Sequence, residues 1–354
     1  MAQAEKQEGE AGALASEQTM PEEDQQLTAN QKKRLKKKRA AARKAAAAHD
    51  AADGADELGS NDRMESGSGK GAEGQTSPAT VPVRVLFNGK YPPGERRSYS
   101  NDNIWRETDE EKRHAERQQL LSSGELHDAR CAAEVHRQAR RLFKYKAVPG
   151  AKLIDLCEEL ESNVRTMIEA DGLKAGVAFP TGVSLNNIAA HWTPNPGDST
   201  VLNEEDVLKV DFGTQVNGRI IDSAFTLTHS SKYDKLLEAS KEATEAGIRV
   251  AGIDARLNEL GEAIQEVMES YEVELNGKTH QVKCVQNLNG HNISPYTIHA
   301  GKSIPLAKGG PATKMEEGEF FAVETFGTTG KGYATICCVM FLYNMAPETS
   351  RQRL

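Results

Sequence analysis

An α+β fold is what the sequence predicts, and three observations predict it. Segments with helical periodicity alternate with strand-like apolar runs over residues 96–332 of the 354. Two of those runs are joined by Asn-Gly, the strongest short hairpin signal. No run approaches the roughly 20 apolar residues of a membrane-spanning helix, which excludes a helical membrane protein.

LIDLCEELESNVRTMIEADG sets Leu153, Leu156, Leu160, Val164 and Met167 at helical spacing, with Asp171-Gly172 as its stop. KYDKLLEASKEATEAGIRVAG and RLNELGEAIQEVMESYEVEL read as two further amphipathic helices. VLKVDFGTQV, RIIDSAFTLTH and EFFAVETF read as strands.

Residues 1–95 read differently. They are built of Ala, Glu, Gln, Gly, Ser and Lys, with almost no branched or aromatic residue before Val81. Such a segment buries too little apolar surface to offset its ordering entropy, so a disordered extension is expected. Within it, nine of the thirteen residues from Lys32 to Lys44 are basic, in a chain of net charge −8. This block reads either as a solvated, helix-prone charge run or as an arm attracted to RNA through counterion release. Without interleaved aromatics it would hold RNA by charge and not by base stacking.

The N-terminus MAQAEKQEGEAG has no apolar core, so no secretory signal is read there. Five cysteines, an odd number without Cys-x-x-Cys, argue against a disulfide framework and a thiolate zinc site. A soluble protein of a reducing compartment, the cytoplasm, is expected.

The stretch LKVDFGTQVNGRIIDSAFTLTH carries the chemistry. With Asn217-Gly218 as a two-residue turn, Val216 faces Arg219, Gly213 faces Asp222 and Asp211 faces Ala224. Asp211 and Asp222 then share one face as diagonal neighbours, roughly 7–8 Å apart at the backbone. There they can converge on a cation, with Gly213 leaving room for it. The same pattern also fits two solvent-facing polar positions of a half-buried sheet. Asp is depleted in strands, however, and two on one face repel without a counter-charge. Glu324, read as mid-strand in GEFFAVETFG, shares a face with Phe320, Ala322 and Phe326, where a carboxylate is costly unless paired or metal-bound. His291 follows a glycine that permits close approach to a ligand, and it would complete an Asp/Asp/His/Glu set of hard ligands. HAGKS lacks the upstream glycine of a phosphate loop, and GTTGKG has the wrong glycine order for a dinucleotide and reads as a turn.

Four segments together carry a resemblance: GVAFPTGVSLNNIAAHWTPNPGD, VLKVDFGTQVNGRIIDSAFTLTH, LNGHNISPYTIHAGKSIP and EEGEFFAVETFGTTGKG. They are similar to the type 2 methionine aminopeptidases of eukaryotes, fungal ones in particular, from about Asn101 to Gly332. The resemblance implies the pita-bread (creatinase/aminopeptidase-like) fold around two divalent metal ions per subunit, Co, Zn, Mn or Fe. It implies a hydrolase that removes the initiator methionine from nascent chains whose second residue is small. Carried over by position, Asp211, Asp222, His291 and Glu324 match metal ligands, and Glu324 also a proton shuttle. His191 and His299 match histidines that contact substrate and the scissile bond, and Phe179 a wall of the methionine pocket. The polybasic arm resembles an extension linked to ribosome association. The implied partners are thus nascent N-termini and ribosomal RNA, with neither DNA nor membrane.

After Gly332 the sequence departs from the family pattern, and residues 333–354 read as an unrelated tail. A fold incomplete at its C-terminus is therefore expected, without a second, bridging glutamate, so that the second metal site is impaired and activity reduced. The competing expectation is a catalytically inactive pita-bread protein that binds RNA or ribosomes through its arm. A prolidase is a third reading, and the flanking motifs oppose it.

Overall fold

The computed structural model describes residues 74–97, 115, 117–120 and 122–335. The basic block Lys32–Lys44 and all of the tail beyond residue 335 lie outside the described residues.

The first part of the chain builds one layer of helix on one layer of sheet. A short helix α1 (Val83–Leu86) precedes α2 (Glu125–Lys146) and α3 (Leu153–Ile168). These are followed by β1 (Ala175–Leu185), β2 (Val207–Val216) and β3 (Arg219–Thr228), an antiparallel sheet in that order. The apolar stripe of α3 buries Leu153, Leu160, Val164 and Met167, each at most 2% exposed, together with Val210 and Phe212 of β2. The helix stops at Glu169, in the left-handed region at φ 54°, two residues before the expected Asp171-Gly172.

Part of the stretch expected to be disordered is built into this core. Residues 74–97 are described, Ala79 and Val83 are buried in the α2–α3 cluster, and the Ala79 N–H donates to Asn163 Oδ1 at 2.8 Å. The boundary expected at residue 95 is therefore too late. Composition hid the signal because only a few apolar residues, Val83 among them, anchor a segment held otherwise by polar bonds. Gln75 Nε2, for example, donates to Val81 O and to Gln138 Oε1.

The second part packs α4 (Asp234–Val250) and α5 (Leu257–Met268) over a set of short strands. These are β4 (Glu272–Leu275), β5 (Lys278–Gln281), β6 (Lys283–Cys284), β7 (Asn289–Ile293), β8 (Ser303–Pro305), β9 (Phe320–Ala322) and β10 (Gly327–Thr328). β7 is central in the order β8-β7-β9, β4 pairs with β5, and β6 with β10. Leu257, Leu260, Ile264 and Met268 of α5 are wholly buried at helical spacing. The run expected as helix through Leu275 ends at Met268, and YEVEL supplies β4, which turns through Asn276-Gly277, both at positive φ, into β5. The strand expected over EFFAVETF is only three residues long, so Glu324 lies two residues beyond it.

Candidate metal centre

The hairpin β2–β3 pairs in the register that the sequence arithmetic gives: Asp211 opposite Ala224, Gly213 opposite Asp222, Val216 opposite Arg219. Asn217 and Gly218 have φ of 50° and 80°, the two positive values of a type I′ turn. Phe212, Val210 and Thr214 face α2 and α3, which leaves Asp211, Gly213 and Asp222 on the opposite face. Ile220 shares that face and is packed with Ile293 and Ala322.

The tip is fixed in place. Asn217 Nδ2 donates to Asp128 Oδ2 at 2.9 Å, and the Gly218 N–H donates to Gln215 Oε1 at 2.9 Å. The Tyr296 ring lies so close over Gly218 that a Cβ there would sit 2.5 Å from it, and the Tyr296 N–H donates to Gly218 O at 3.0 Å. That bond aligns the loop carrying His299 with the hairpin.

Three acid and imidazole groups converge beside the hairpin. His291 Nε2, in the middle of β7, lies 3.3 Å from Asp222 Oδ2 and 3.2 Å from Glu324 Oε1. One donor atom from each of Asp222, His291 and Glu324 lies within 4.8 Å of the others. Asp211 stands next to them: its carboxyl feels the charge of Asp222 and Glu324, and its Oδ1 is sealed from solvent without a hydrogen-bond partner. A buried carboxylate oxygen left unpaired is costly unless a cation completes it.

The electrostatics show the same deficit of positive charge. Burial, then repulsion from Asp222 and Glu324, lifts the Asp211 carboxyl to about 7. For His291, burial works against protonation, but the hydrogen bonds to Asp222 and Glu324 outweigh it and raise the imidazole to about 10. The set of two aspartates, one glutamate and one imidazole suits a hard to borderline divalent ion such as Mn, Fe, Co or Zn. The residues fit the group.

The remaining candidate residues line the same face. The His299 ring sits edge-on to His291, centroids 4.2 Å apart, and burial together with the charge of His291 holds it below its ordinary pKa. His191, exposed and at φ 63°, is close enough to repel the His299 charge. Phe179 is opposite Gly213 in the β1–β2 pairing. Pro180 removes a ladder donor there, and the register slips on either side of Phe179, which re-aims its ring. That ring takes the room expected for a cation beside Gly213, since a Cβ at 213 would lie 2.3 Å from Phe179 Cε1. Gly290 likewise serves the sheet and not a ligand: a Cβ there would lie 2.6 Å from Ala322 O.

Glu324 owes its place to a tether that sequence reading missed. Thr325 Oγ1 donates to Ser240 O at 3.0 Å and lies 2.8 Å from Thr244 Oγ1, which itself donates to Ser240 O. No periodicity marks these hydroxyls; the threonine directly after the candidate ligand is the one available cue.

The sequence of residues 127–342 matches the model of metallopeptidase family M24. The chain belongs to metallopeptidase family M24. Its mixed helix-and-sheet architecture is the pita-bread fold expected of an M24 member. Among curated relatives, methionine aminopeptidase 2 of Schizosaccharomyces pombe is 60% identical over 259 residues, 73% of this chain and 60% of that protein. Methionine aminopeptidase 2 of Dictyostelium discoideum is 60% identical over 258 residues, 73% of this chain and 58% of that protein. Methionine aminopeptidase 2A of Arabidopsis thaliana is 57% identical over 260 residues, again 73% and 58%. The chain spans about 60% of the length of these relatives. No helix among the described residues is long and apolar enough to cross a membrane.

Proposed function

We propose that this chain is a metal-dependent methionyl aminopeptidase, removing the initiator methionine from nascent chains whose second residue is small. The observation that carries the reading is the convergence of Asp222, His291 and Glu324 beside the unpartnered Asp211 Oδ1, in an M24 chain similar to methionine aminopeptidases 2. Asp222, His291 and Glu324 would hold one divalent cation. A second would rest on Asp211 and the shared Asp222, and more weakly, since the described residues offer it little else. Such ions lower the pKa of water and polarise the scissile carbonyl.

The chain's own groups do the rest. Glu324 takes the proton of the attacking water on a carboxylate oxygen and passes it to the leaving amine. His299 and His191 donate hydrogen bonds to the substrate carbonyl and to the charge that develops on it, contributions worth about 3 kcal/mol each in comparable sites. The Phe179 ring forms a wall for the methionine side chain. The reaction takes place in the cytoplasm on ribosome-bound chains, with Lys32–Lys44 as a ribosomal RNA contact.

The test is hydrolysis of Met-Ala-Ser by the purified chain with Mn²⁺ or Co²⁺, with Glu324→Ala as the blank. Turnover above the blank, and none with an X-Pro dipeptide, is the expected result. A folded, metal-loaded chain no faster than its blank would overturn the reading.

A further inference from the structure

His136 lies in the middle of α2, 3% exposed, on the side of the β2–β3 hairpin away from the candidate ligands. Its Nε2 is 3.0 Å from Phe212 O and 3.0 Å from Ser223 O. Facing two carbonyl oxygens, that nitrogen carries the hydrogen and shares it between them. The ring also stacks on Phe212, centroids 3.8 Å apart and planes 5° from parallel. Burial holds the imidazole far below its ordinary pKa, so it is a neutral donor. A neutral imidazole in an apolar core is a poor choice for packing alone, because its polar atoms must be desolvated.

The identity of the acceptors is what matters. Phe212 follows Asp211 directly, and Ser223 follows Asp222 directly. Phe212 and Ser223 face each other, so their rung lies between the Asp211–Ala224 rung and the Gly213–Asp222 rung. Adjacent strands in ordinary sheets vary in mutual twist by some tens of degrees. A single N–H on a rigid ring, bonded to both strands at this rung, removes that freedom where the two carboxylates must converge. We propose that His136 is a positioning residue for the metal centre: its shared hydrogen bond to the Phe212 and Ser223 carbonyls sets the relative disposition of Asp211 and Asp222. The inference rests on the metal reading of the previous subsection.

A second bond from α2 to the hairpin provides the control. Thr214 Oγ1 donates to Ala132 O at 2.8 Å, is wholly buried, and ties the same helix to β2 without touching either ligand-flanking carbonyl. The experiment titrates the full chain with Co²⁺, followed by d–d absorption, alongside guanidinium unfolding in EDTA. Four proteins are compared: wild type, His136→Phe, His136→Gln and Thr214→Val. His136→Phe keeps the stacked ring and loses the donor, and it is expected to bind Co²⁺ about 10–100-fold more weakly with a changed band shape, the range typical of lost outer-shell support. Thr214→Val is expected to lower the unfolding midpoint while holding the Co²⁺ affinity within about threefold, well short of that range. His136→Gln reaches one carbonyl only and is expected to fall between wild type and His136→Phe, and it answers the question by itself if the Phe variant does not fold. Unchanged Co²⁺ affinity in either His136 variant, or an equal loss in Thr214→Val, overturns the proposal while the metal reading stands. A folded wild type that takes up no Co²⁺ overturns the metal reading and the proposal together.

Discussion

The candidate ligands come from two regions built in opposite ways. Asp211 and Asp222 stand on long, ten-residue strands in continuous register, closed by a tight turn and backed by two helices. His291 and Glu324 come from a region of short strands, where β7 has five residues and β9 three, and Glu324 lies in coil. In the first region, backbone pairing places the side chains. In the second, the short ladder of β7 carries His291, opposite Ser303 and Ala322, while Glu324 depends on individual tethers, the hydroxyl bonds of Thr325. Regular ladders give position cheaply but in steps of fixed size, whereas tethered coil can bring a carboxylate to a point that no strand register reaches.

The contrast breaks most completely at Asp222, whose carboxylate faces the ligands of the other region. Asp222→Asn is expected to lose more Co²⁺ affinity than the roughly 100-fold upper end for an outer-shell partner, as measured by calorimetry. Next is the support of the hairpin. His136 is held at about 4, so the folded chain refuses a proton that the unfolded chain takes. Stability is intact above the ordinary histidine value and falls as pH drops through 6.5 toward 4, by up to about 3 kcal/mol. Urea unfolding across that range checks it, with His136→Phe expected to remove this part of the slope. Gly213→Ala follows. Its Cβ would collide with the Phe179 ring and with Ala178, at 2.3 and 2.9 Å. A loss of about 1–3 kcal/mol in unfolding free energy is expected, typical of overpacking, with a higher KM for Met-Ala-Ser as Phe179 is displaced. Smallest is Thr325→Val, which removes the hydroxyl bonds to Ser240 and Thr244 for about 1 kcal/mol. The comparison sharpens if this variant weakens Co²⁺ binding out of proportion to its stability loss, since a tether has no register to fall back on.

The same contrast decides what was legible in the sequence. Asn217-Gly218 made the Asp211–Asp222 geometry a matter of counting residues, because a two-residue turn leaves one register. The helices were legible where their apolar stripes were complete, as in α3 and α5. Legibility failed wherever tertiary bonds override local pattern. YEVEL continues the helical periodicity of α5, yet the Asn276-Gly277 turn claims it for β4; the same dipeptide that revealed the first hairpin stood unread in the second. Glu324 was placed mid-strand because its neighbours alternate, while hydroxyl bonds to α4 hold that stretch out of the ladder. His136 gave no signal at all, since nothing in EVHRQAR marks an imidazole that reaches across to two carbonyls.

Gly218 and Tyr296 lie 78 positions apart in the sequence, yet Gly218 is not free to change alone. The ring lies where any side chain at 218 would have to go, and Tyr296 itself holds a left-handed conformation, φ 59°, to reach it. What position 218 can accept is thereby set by the residue at 296. Across the lineage, a residue larger than glycine at 218 is admissible only alongside a smaller one at 296, and a family-wide alignment should show every such exchange at 218 accompanied by one at 296.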